Sequence, residues 1–571
     1  MYGVETVKSR LTDMERSKII TLAESLVEKE EIYSLSAYGS RVAGYAREDS
    51  DYDIIIVANN VKKTVAEKDE KDPTKSQPLI IEDSALMKDA KQPSGGEFII
   101  GRFLNIYEPI VNAEFLHSVE VEYKKRIIAE ELLEIQTDYG DFSSNLVIPY
   151  EYFLFDKLHK RALSYPEAMF SYARTYACDQ REENIEFTLR GFREAAESLA
   201  SNGIIENTGD SVRIFRGKKR NDALTNLFKV FPLERRGGIR YAYHGFANRI
   251  GYGFKTKPLA KLKMMGKVKS MIELDRPKKL LRLEEGVIFD DTTMSVEELA
   301  QIAGFGDTYE YKEKKMGDFI NSTQLLEIWD DENQIKYVLK HFPELKSAKW
   351  VLLNLWSIAA KRFNQSPLSR LNREVEALRR LRELKIPTHH IIGVILDDRT
   401  LVSEFLDGVP LSKFVEDIIN GKSTDTSNIE KYGKILGKIH KAGLVYGDTK
   451  PQNAFVFKDR IDLIDLEQAV ERGDKAWDLA EFLYFSATHL EEEKAEKKDD
   501  KTKEGVNKEE GMRLVAEAFL TGYRSESSEE VVAKAKSVRY LIPFLPILPG
   551  KMRSVVRNTL TKYSQKEIAT P

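Results

Sequence analysis

One cysteine in 571 residues leaves no disulfide framework to consider, and Cys178 fits a reducing compartment, so the cytoplasm is the expected location. Long apolar runs are missing too. The longest near the C-terminus, 541–548, contains prolines and is far shorter than a bilayer span. The first residues, Met1 to Glu5, lack the basic-then-apolar layout of a secretory signal. Neither sign of charge is in excess: 88 Lys and Arg stand against 92 Asp and Glu, so net charge argues neither for nor against nucleic acid. His341, His389, His390 and His440 form no zinc-spaced set, and Cys178 lies in no nucleophile motif. His440, beside Ile439, reads as a core histidine. Metalloprotease and thiol chemistry are thereby set aside.

What is present is dense, balanced charge (32%) over 42% apolar residues, on a chain too long for one hydrophobic core. Three domains are expected: 1–140, 141–305 and 306–571. In the first, 5–30 reads as an amphipathic helix and 34–38 and 54–57 as strands. The polar stretch 62–96, with Pro73, Pro78 and Pro93, reads as a long inserted loop. Strands are then expected at 98–104 and 110–116, and a charged helix at 120–135. In the second, Phe192, Ala195, Ala196 and Leu199 form one helical stripe, and 204–215 reads as a hairpin with its turn at Asn207–Asp210. A mixed-charge run, 491–510, reads as a flexible excursion, and 512–523 as an amphipathic helix.

The first chemical constellation is Gly39-Ser40 followed by Asp51-Tyr52-Asp53. On a strand, residues two apart face the same side, so both carboxylates point together. At about 5 Å and an effective dielectric near 20, the two anions repel by roughly 3 kcal/mol, which a divalent cation converts into binding. Glycine after a strand lets phosphate oxygens approach the backbone, and the Ser40 hydroxyl adds a donor. The whole segment 38–57, YGSRVAGYAREDSDYDIIIV, resembles the signature of DNA polymerase β-like nucleotidyltransferases. The resemblance implies Asp51 and Asp53 as ligands of Mg²⁺ and Gly39 and Ser40 as triphosphate binders. It also implies a third carboxylate on a following strand, as base for an attacking hydroxyl. Glu114 is the expected one, with Glu120 and Glu122 as rivals.

The second constellation is LVYGDTKPQNAFVF (444–457), a turn, then IDLIDLEQA (461–469). Phosphoryl transfer needs a base for the acceptor and oxygen ligands for Mg²⁺; Asp448 suits the first role, Asn453 and Asp465 the second. Upstream, Lys340 sits on an expected strand, and Glu374 falls within the stripe Leu371, Glu374, Val375, Leu378. A carboxylate there is costly unless paired, and Lys340 is the expected partner. Glu376 lies about 200° around the helix and is the weaker partner. The segment 317–323 is the candidate phosphate-covering loop, although it lacks a full Gly-x-Gly. LVSEFLDG (401–408) is the candidate hinge, its backbone at Glu404 to Leu406 offered to adenine.

This ordered set resembles protein-kinase-like folds, nearest to the KEOPS-complex kinase, RIO kinases and aminoglycoside or choline phosphotransferases. Trp477-Asp478-Leu479-Ala480 matches their later Asp-Leu-Ala helix. Tyr446 stands where those relatives have His, and an Ala-Pro-Glu segment is missing. The implied fold is α+β and multidomain: a mixed-sheet nucleotidyltransferase domain, a winged-helix-like basic middle and a bilobal kinase-like domain. The implied cofactors are Mg²⁺ and ATP or another nucleoside triphosphate.

The middle is basic between Lys218 and Lys269, with Tyr241, Tyr243, Tyr252 and Phe254 interleaved, a pattern suited to RNA phosphates and stacked bases. Three readings stay open: a bifunctional enzyme modifying RNA, tRNA among the candidates; an enzyme nucleotidylating and phosphorylating protein; or an RNA-binding module with one dead site. No membrane partner is expected, and the oligomeric state is open.

Overall fold

The computed structural model describes residues 10–59, 64–65, 76, 78–216, 219, 274, 276–289, 296–316, 322–344, 366–458, 460–488 and 507–565. It divides into two compact units, Met1–Glu284 and Glu285–Pro571. Each mixes helices with sheet, so the chain is α+β and multidomain.

The first unit opens with α1 (Asp13–Leu26), started by a capping box in which Thr12 and Glu15 satisfy each other's backbone amides. Then come β1 (Ile32–Tyr38), α2 (Ser40–Ala43), β2 (Asp53–Ala58), β3 (Thr64–Val65), β4 (Leu79–Glu82), α3 (Asp83–Lys91), β5 (Tyr107–Val111) and α4 (Ala113–Tyr139). The sheet order is β3-β4-β2-β1-β5, with β1 antiparallel to both neighbours and β2 parallel to β4. Ile19 and Ala23 of α1 bury against Leu35, Ala37, Ile54 and Ile56, which fixes the sheet face left to the acids. Three expectations are corrected. The stretch 62–96 holds β4 and α3, because LIIE and the following stripe carry more apolar signal than its prolines remove. Residues 98–104 form no strand; Ile100–Leu104 is a 3-10 turn. The strand at 110–116 stops at Val111, where Asn112 takes φ +50 and its side chain accepts from the Phe115 amide, starting α4.

The unit continues with β6 (Leu146–Pro149), α5 (Tyr150–Ser164), α6 (Pro166–Thr175), α7 (Arg181–Ser201), β7 (Glu206–Asn207), β8 (Ser211–Arg213) and β9 (Arg282–Leu283). The stripe Phe192, Ala195, Ala196, Leu199 is buried on α7, and β7–β8 is the expected hairpin, joined by β6 and β9 in the order β9-β6-β8-β7. The basic stretch 218–269, apart from Lys219, lies outside the described residues.

The second unit has a sheet of β10 (Val287–Phe289), β11 (Glu310–Met316), β12 (Ser322–Trp329), β13 (Gln334–His341), β14 (Ile391–Ile395) and β15 (Thr400–Glu404), ordered β11-β12-β13-β15-β14-β10. A helix, α8 (Val296–Ile302), covers one face by packing Leu299 and Ala300 on Leu326, Ile328, Tyr337 and Val402. Lys340 alternates to the opposite face, towards α9 (Pro367–Glu383).

Below follow β16 (Val409–Pro410), α10 (Leu411–Ile419), α11 (Ser427–Lys441), β17 (Leu444–Val445), β18 (Ala454–Phe457), β19 (Arg460–Leu463), β20 (Val470–Glu471), α12 (Lys475–Ser486), α13 (Lys508–Arg524), α14 (Glu529–Ala535), α15 (Val538–Leu541) and α16 (Gly550–Tyr563). Of the mixed-charge run 491–510, residues up to 506 lie outside the described set, and Lys508–Glu510 begin α13. Among the described residues no helix is long and apolar enough to cross a membrane.

Helices α11 and α13 touch through glycine. A Cβ on Gly433 would lie 2.1 Å from the Phe519 carbonyl oxygen, and one on Gly522 2.0 Å from that of Glu430. The close approach lets Tyr432, Phe482 and Phe519 stack beneath the loop that carries Asp448. Gly522→Ala is therefore expected to destabilise the unit by about 2 kcal/mol in chemical denaturation, because backbone rather than a flexible side chain must yield. A variant as stable as the wild type would refute this account of the packing.

Candidate functional site

In the first unit β1 ends at Tyr38, and Gly39 turns the chain at φ +80. A Cβ on Gly39 would fall 1.9 Å from Asp53 Oδ2, so only glycine leaves room for that carboxylate. Asp53 pairs across the sheet with Tyr38, and the more exposed Asp51 comes just before β2. Burial, with Asp51 adding to it, pushes the Asp53 carboxyl up to about 6, while Arg102 pulls it down. Burial likewise pushes Tyr38 up to about 12, and Arg102 lies 5.7 Å from its ring centre. The loop presenting Asp51 is braced by Arg41, whose guanidinium donates to the Ser50 and Glu48 carbonyls at 2.6 and 3.3 Å. Arg41 also stacks over Tyr52 and pairs with Glu15 of α1 at 3.4 Å. Gly39, Asp51 and Asp53 are thus brought together, and Ser40 follows Gly39 at the start of α2.

Glu114 is not. It is exposed in the first turn of α4, past the Val111 end of β5, which pairs with Leu35, whereas Asp53 lies beside Tyr38. The Phe115 ring next to it packs on Tyr33 at 4.9 Å. From Tyr33 to Tyr38 a strand rises about 16 Å, too far for a base acting at Asp53. Nor do the rivals reach it. Glu120 is buried; against that burial Lys124, His117 and the Tyr107 hydroxyl (2.7 Å) hold its carboxyl low. Glu122 pairs with Lys125 at 2.8 Å. On β5, Glu108 accepts from the Arg10 and Leu11 amides and pairs with Arg16, so it anchors the start of α1. Tyr107 is the β5 residue level with Asp53, both being paired with Tyr38.

In the second unit the separated motifs converge. Lys340 Nζ lies 3.0 Å from Glu374, 2.6 Å from Asp465 and 3.7 Å from Glu467. Burial, then Asp465 and Glu467, push the Glu374 carboxyl up to about 7 although Lys340 lowers it. Against burial, Asp465 and Glu374 hold the Lys340 ammonium well above its usual range. Lys340 in turn offsets burial at Asp465 and keeps that carboxyl low. Asp465 takes the left-handed φ of +59 just after β19, and its carboxylate reaches Lys340 on β13. Glu376 is held by Arg379 at 2.8 Å, away from this cluster.

Asp448, buried, lies 2.8 Å from Lys450, and the Asn453 side-chain amide donates to its carbonyl at 2.9 Å. The loop is shaped from α12. Asp478 accepts from the Tyr446 and Gly447 amides at 2.7 and 2.9 Å, and Glu481 from Thr449 at 2.8 Å. The Tyr446 hydroxyl donates to the Asn453 and Ile464 carbonyls, tying the Asn453 loop to the residue before Asp465. His440 is buried as expected, bridging Asp478 and the Tyr523 hydroxyl at 3.0 and 2.8 Å. At the hinge, Glu404 uses its amide on the His390 carbonyl and Phe405 its own on Lys336. The Leu406 amide has no hydrogen-bond partner among the described residues. Residues 317–321 of the expected phosphate loop lie outside the described set.

Residues 19–137 match the family model described as a nucleotidyltransferase domain, and residues 359–483 the one described as a RIO domain. The chain joins a nucleotidyltransferase domain to a RIO domain. The probable bifunctional tRNA threonylcarbamoyladenosine biosynthesis protein of Methanosarcina barkeri is 26% identical over 150 residues, 25% of this chain and 22% of that protein. The probable serine/threonine-protein kinase BUD32 homolog of Archaeoglobus fulgidus is 26% identical over 173 residues, 30% of this chain and 74% of that protein. The chain thus spans only about a fifth of the first relative's length and about three quarters of the second's. Both matched domains are transferase domains.

The nucleotidyltransferase match includes Gly39, Ser40, Asp51, Asp53 and Glu114. The RIO match includes Glu374, Glu404, Leu406, Asp448, Asn453 and Asp465, while Lys340 precedes it. Among the described residues no three His, Cys, Asp or Glu side chains gather as a metal-binding group. The donor sets still fit Mg²⁺, which is ordinarily held by one or two carboxylates together with substrate phosphates and water. Sequence reasoning missed Arg370, Lys450 and Glu481. Lys450 and Glu481 lie two and one residues from motif positions it did use. Arg370 sits one turn before Glu374, which was the available signal for it.

Proposed function

We propose that the chain is a bifunctional transferase with one reaction in each unit. The reading divides it into a nucleotidyltransferase domain (1–140), a winged-helix-like basic middle (141–305) and a kinase-like domain (306–571). The observation that supports it most is Lys340 shared between Glu374 and Asp465, with Asp448 and Asn453 in one loop. In the RIO domain Asp448 accepts the acceptor hydroxyl's proton, Asn453 and Asp465 hold Mg²⁺, and Lys340 steadied by Glu374 faces the phosphates of ATP. Leu406 offers its amide to adenine beside Glu404. Bound Mg²⁺ supplies the positive charge that the developing phosphoryl charge requires.

In the nucleotidyltransferase domain Asp51 and Asp53 hold Mg²⁺, and Gly39 and Ser40 admit the triphosphate of ATP or another nucleoside triphosphate. The base for the acceptor is not Glu114. RNA is the acceptor this reading favours, tRNA included: the first relative's name refers to tRNA, and the 218–269 sequence alternates cations with aromatics. A protein hydroxyl is the second reading, supported by the kinase name of the other relative. The reaction takes place in the cytoplasm, in keeping with a lone cysteine.

Incubation with α- or γ-labelled ATP, RNA and protein separates these outcomes. Label from both positions is expected in RNA, with the γ-label lost in Asp448→Ala and the α-label lost in Asp53→Ala. Label confined to protein selects the second reading. Transfer that survives both substitutions removes the two site assignments, and a wild-type chain that transfers neither label removes the enzymatic proposal.

A further inference from the structure

We propose that Arg102 is the phosphate-binding cation of the nucleotidyltransferase site, receiving the triphosphate beside Asp53. The inference deepens the reading of the first unit above and rests on it. Arg102 lies in the 3-10 turn Ile100–Leu104 and is the one residue of those five that is not buried. The turn is packed from beneath: a Cβ on Gly101 would lie 2.0 Å from the Arg161 guanidinium. Arg161 is itself held by the Glu97 carbonyl at 2.9 Å and the Tyr172 hydroxyl at 3.0 Å. On its other side the Arg102 guanidinium sits 5.7 Å from the Tyr38 ring centre and 5.4 Å from that of Phe98. Tyr38 and Asp53 are register partners on β1 and β2, about 5 Å apart at Cβ as cross-strand neighbours are.

Burial and Asp51 raise the Asp53 carboxyl, and Arg102 is the group that opposes them, so its charge is felt at the acid pair. Aromatic faces steady the guanidinium, and its Nε is buried without a hydrogen-bond partner among the described residues. An orphaned buried donor is costly, and an anion that brings oxygens removes the cost. The neighbouring cation, Arg41, is committed to Glu15, Tyr52 and the Ser50 carbonyl. Asp51 and Asp53 carry two negative charges, which one Mg²⁺ balances. Arg102 then leaves the site one positive charge in excess, and a guanidinium matches phosphate oxygens well. The same cation repels a lone Mg²⁺. Removing Arg102 therefore acts on polyphosphate and on metal with opposite signs.

The test uses the full chain carrying Lys340→Met and Asp465→Asn, so that the RIO domain does not compete for ligand. Mg²⁺ alone, and inorganic tripolyphosphate with Mg²⁺, are titrated by calorimetry, with melting temperature on the same samples. Arg102→Met is expected to weaken tripolyphosphate binding about tenfold or more, as truncating one partner of a charge pair does. Mg²⁺ alone should bind as tightly as before or more tightly. A merely structural role predicts instead that metal and polyphosphate weaken together. Tripolyphosphate binding unchanged in Arg102→Met, or both ligands weakened, overturns the inference. Should Arg102→Met fail to fold, Arg102→Gln, which keeps a polar chain without the charge, is judged by the same two titrations. A parent chain that binds no tripolyphosphate fails differently, by removing the nucleotidyltransferase reading itself.

Discussion

Asp465→Asn is expected to slow γ-phosphoryl transfer about a thousandfold, while nucleotidyl transfer by the first unit continues. The substitution preserves shape and removes one negative charge from a site where charge does the chemistry. Asp465 reaches Lys340 at 2.6 Å, and that ammonium is what keeps the buried carboxylate ionised. An amide cannot offer Mg²⁺ the same electrostatic hold, so both metal and phosphate orientation suffer at once. The Glu374 carboxyl should then drop from its raised value of about 7, because one of the charges raising it is gone. Single-turnover assays with γ-labelled ATP give the rate, and an unchanged rate contradicts the role assigned to Asp465.

Asp53→Asn should abolish nucleotidyl transfer, by about a thousandfold or more, and yet stabilise the first unit. The Asp53 carboxyl is pushed up to about 6 by burial and by Asp51, above the about 3.9 of an unfolded chain. A group whose folded pKa is raised favours folding in its protonated form. Its ionisation therefore costs nothing below about pH 4, costs progressively more between about 4 and 6, and costs most above 6. Asparagine removes that cost, so the variant should gain on the order of 2 kcal/mol at pH 8 and nothing at pH 4 in metal-free denaturation. Equal stability at both pH values would show that the acid pair is not strained as described. Below pH 6 the wild type should also lose Mg²⁺-dependent nucleotide binding, because the ligand must be deprotonated.

Much of the site could be read from the chain because its chemistry is local. Gly39 to Asp53 is one connection, α2 included, between adjacent strands, and Asp448 to Asp465 a loop and a hairpin; in both, the residues that meet are near in sequence. Glu374 was readable for another reason: a carboxylate on an apolar stripe calls for a buried cation, and Lys340 answers at 3.0 Å. Glu114 was misplaced because a strand was extended through Asn112. That residue's left-handed backbone and side-chain cap end β5 and turn Glu114 onto a helix. The 3-10 turn at Ile100–Leu104 was misread as strand because short apolar runs fit either form.

The residue order alone determined that two separate acid sets lie on one chain with a basic stretch between them, since type and spacing of carboxylates are covalent facts. Tertiary structure alone decided which acids meet. Glu374, Asp465 and Glu467 reach Lys340 from a helix and a distant loop, Arg370 finds Glu467 across the same cluster, and Asp478 shapes a loop some thirty residues before it. Such pairings depend on burial, where an unmatched charge is expensive and each ion takes the partner that packing brings within reach.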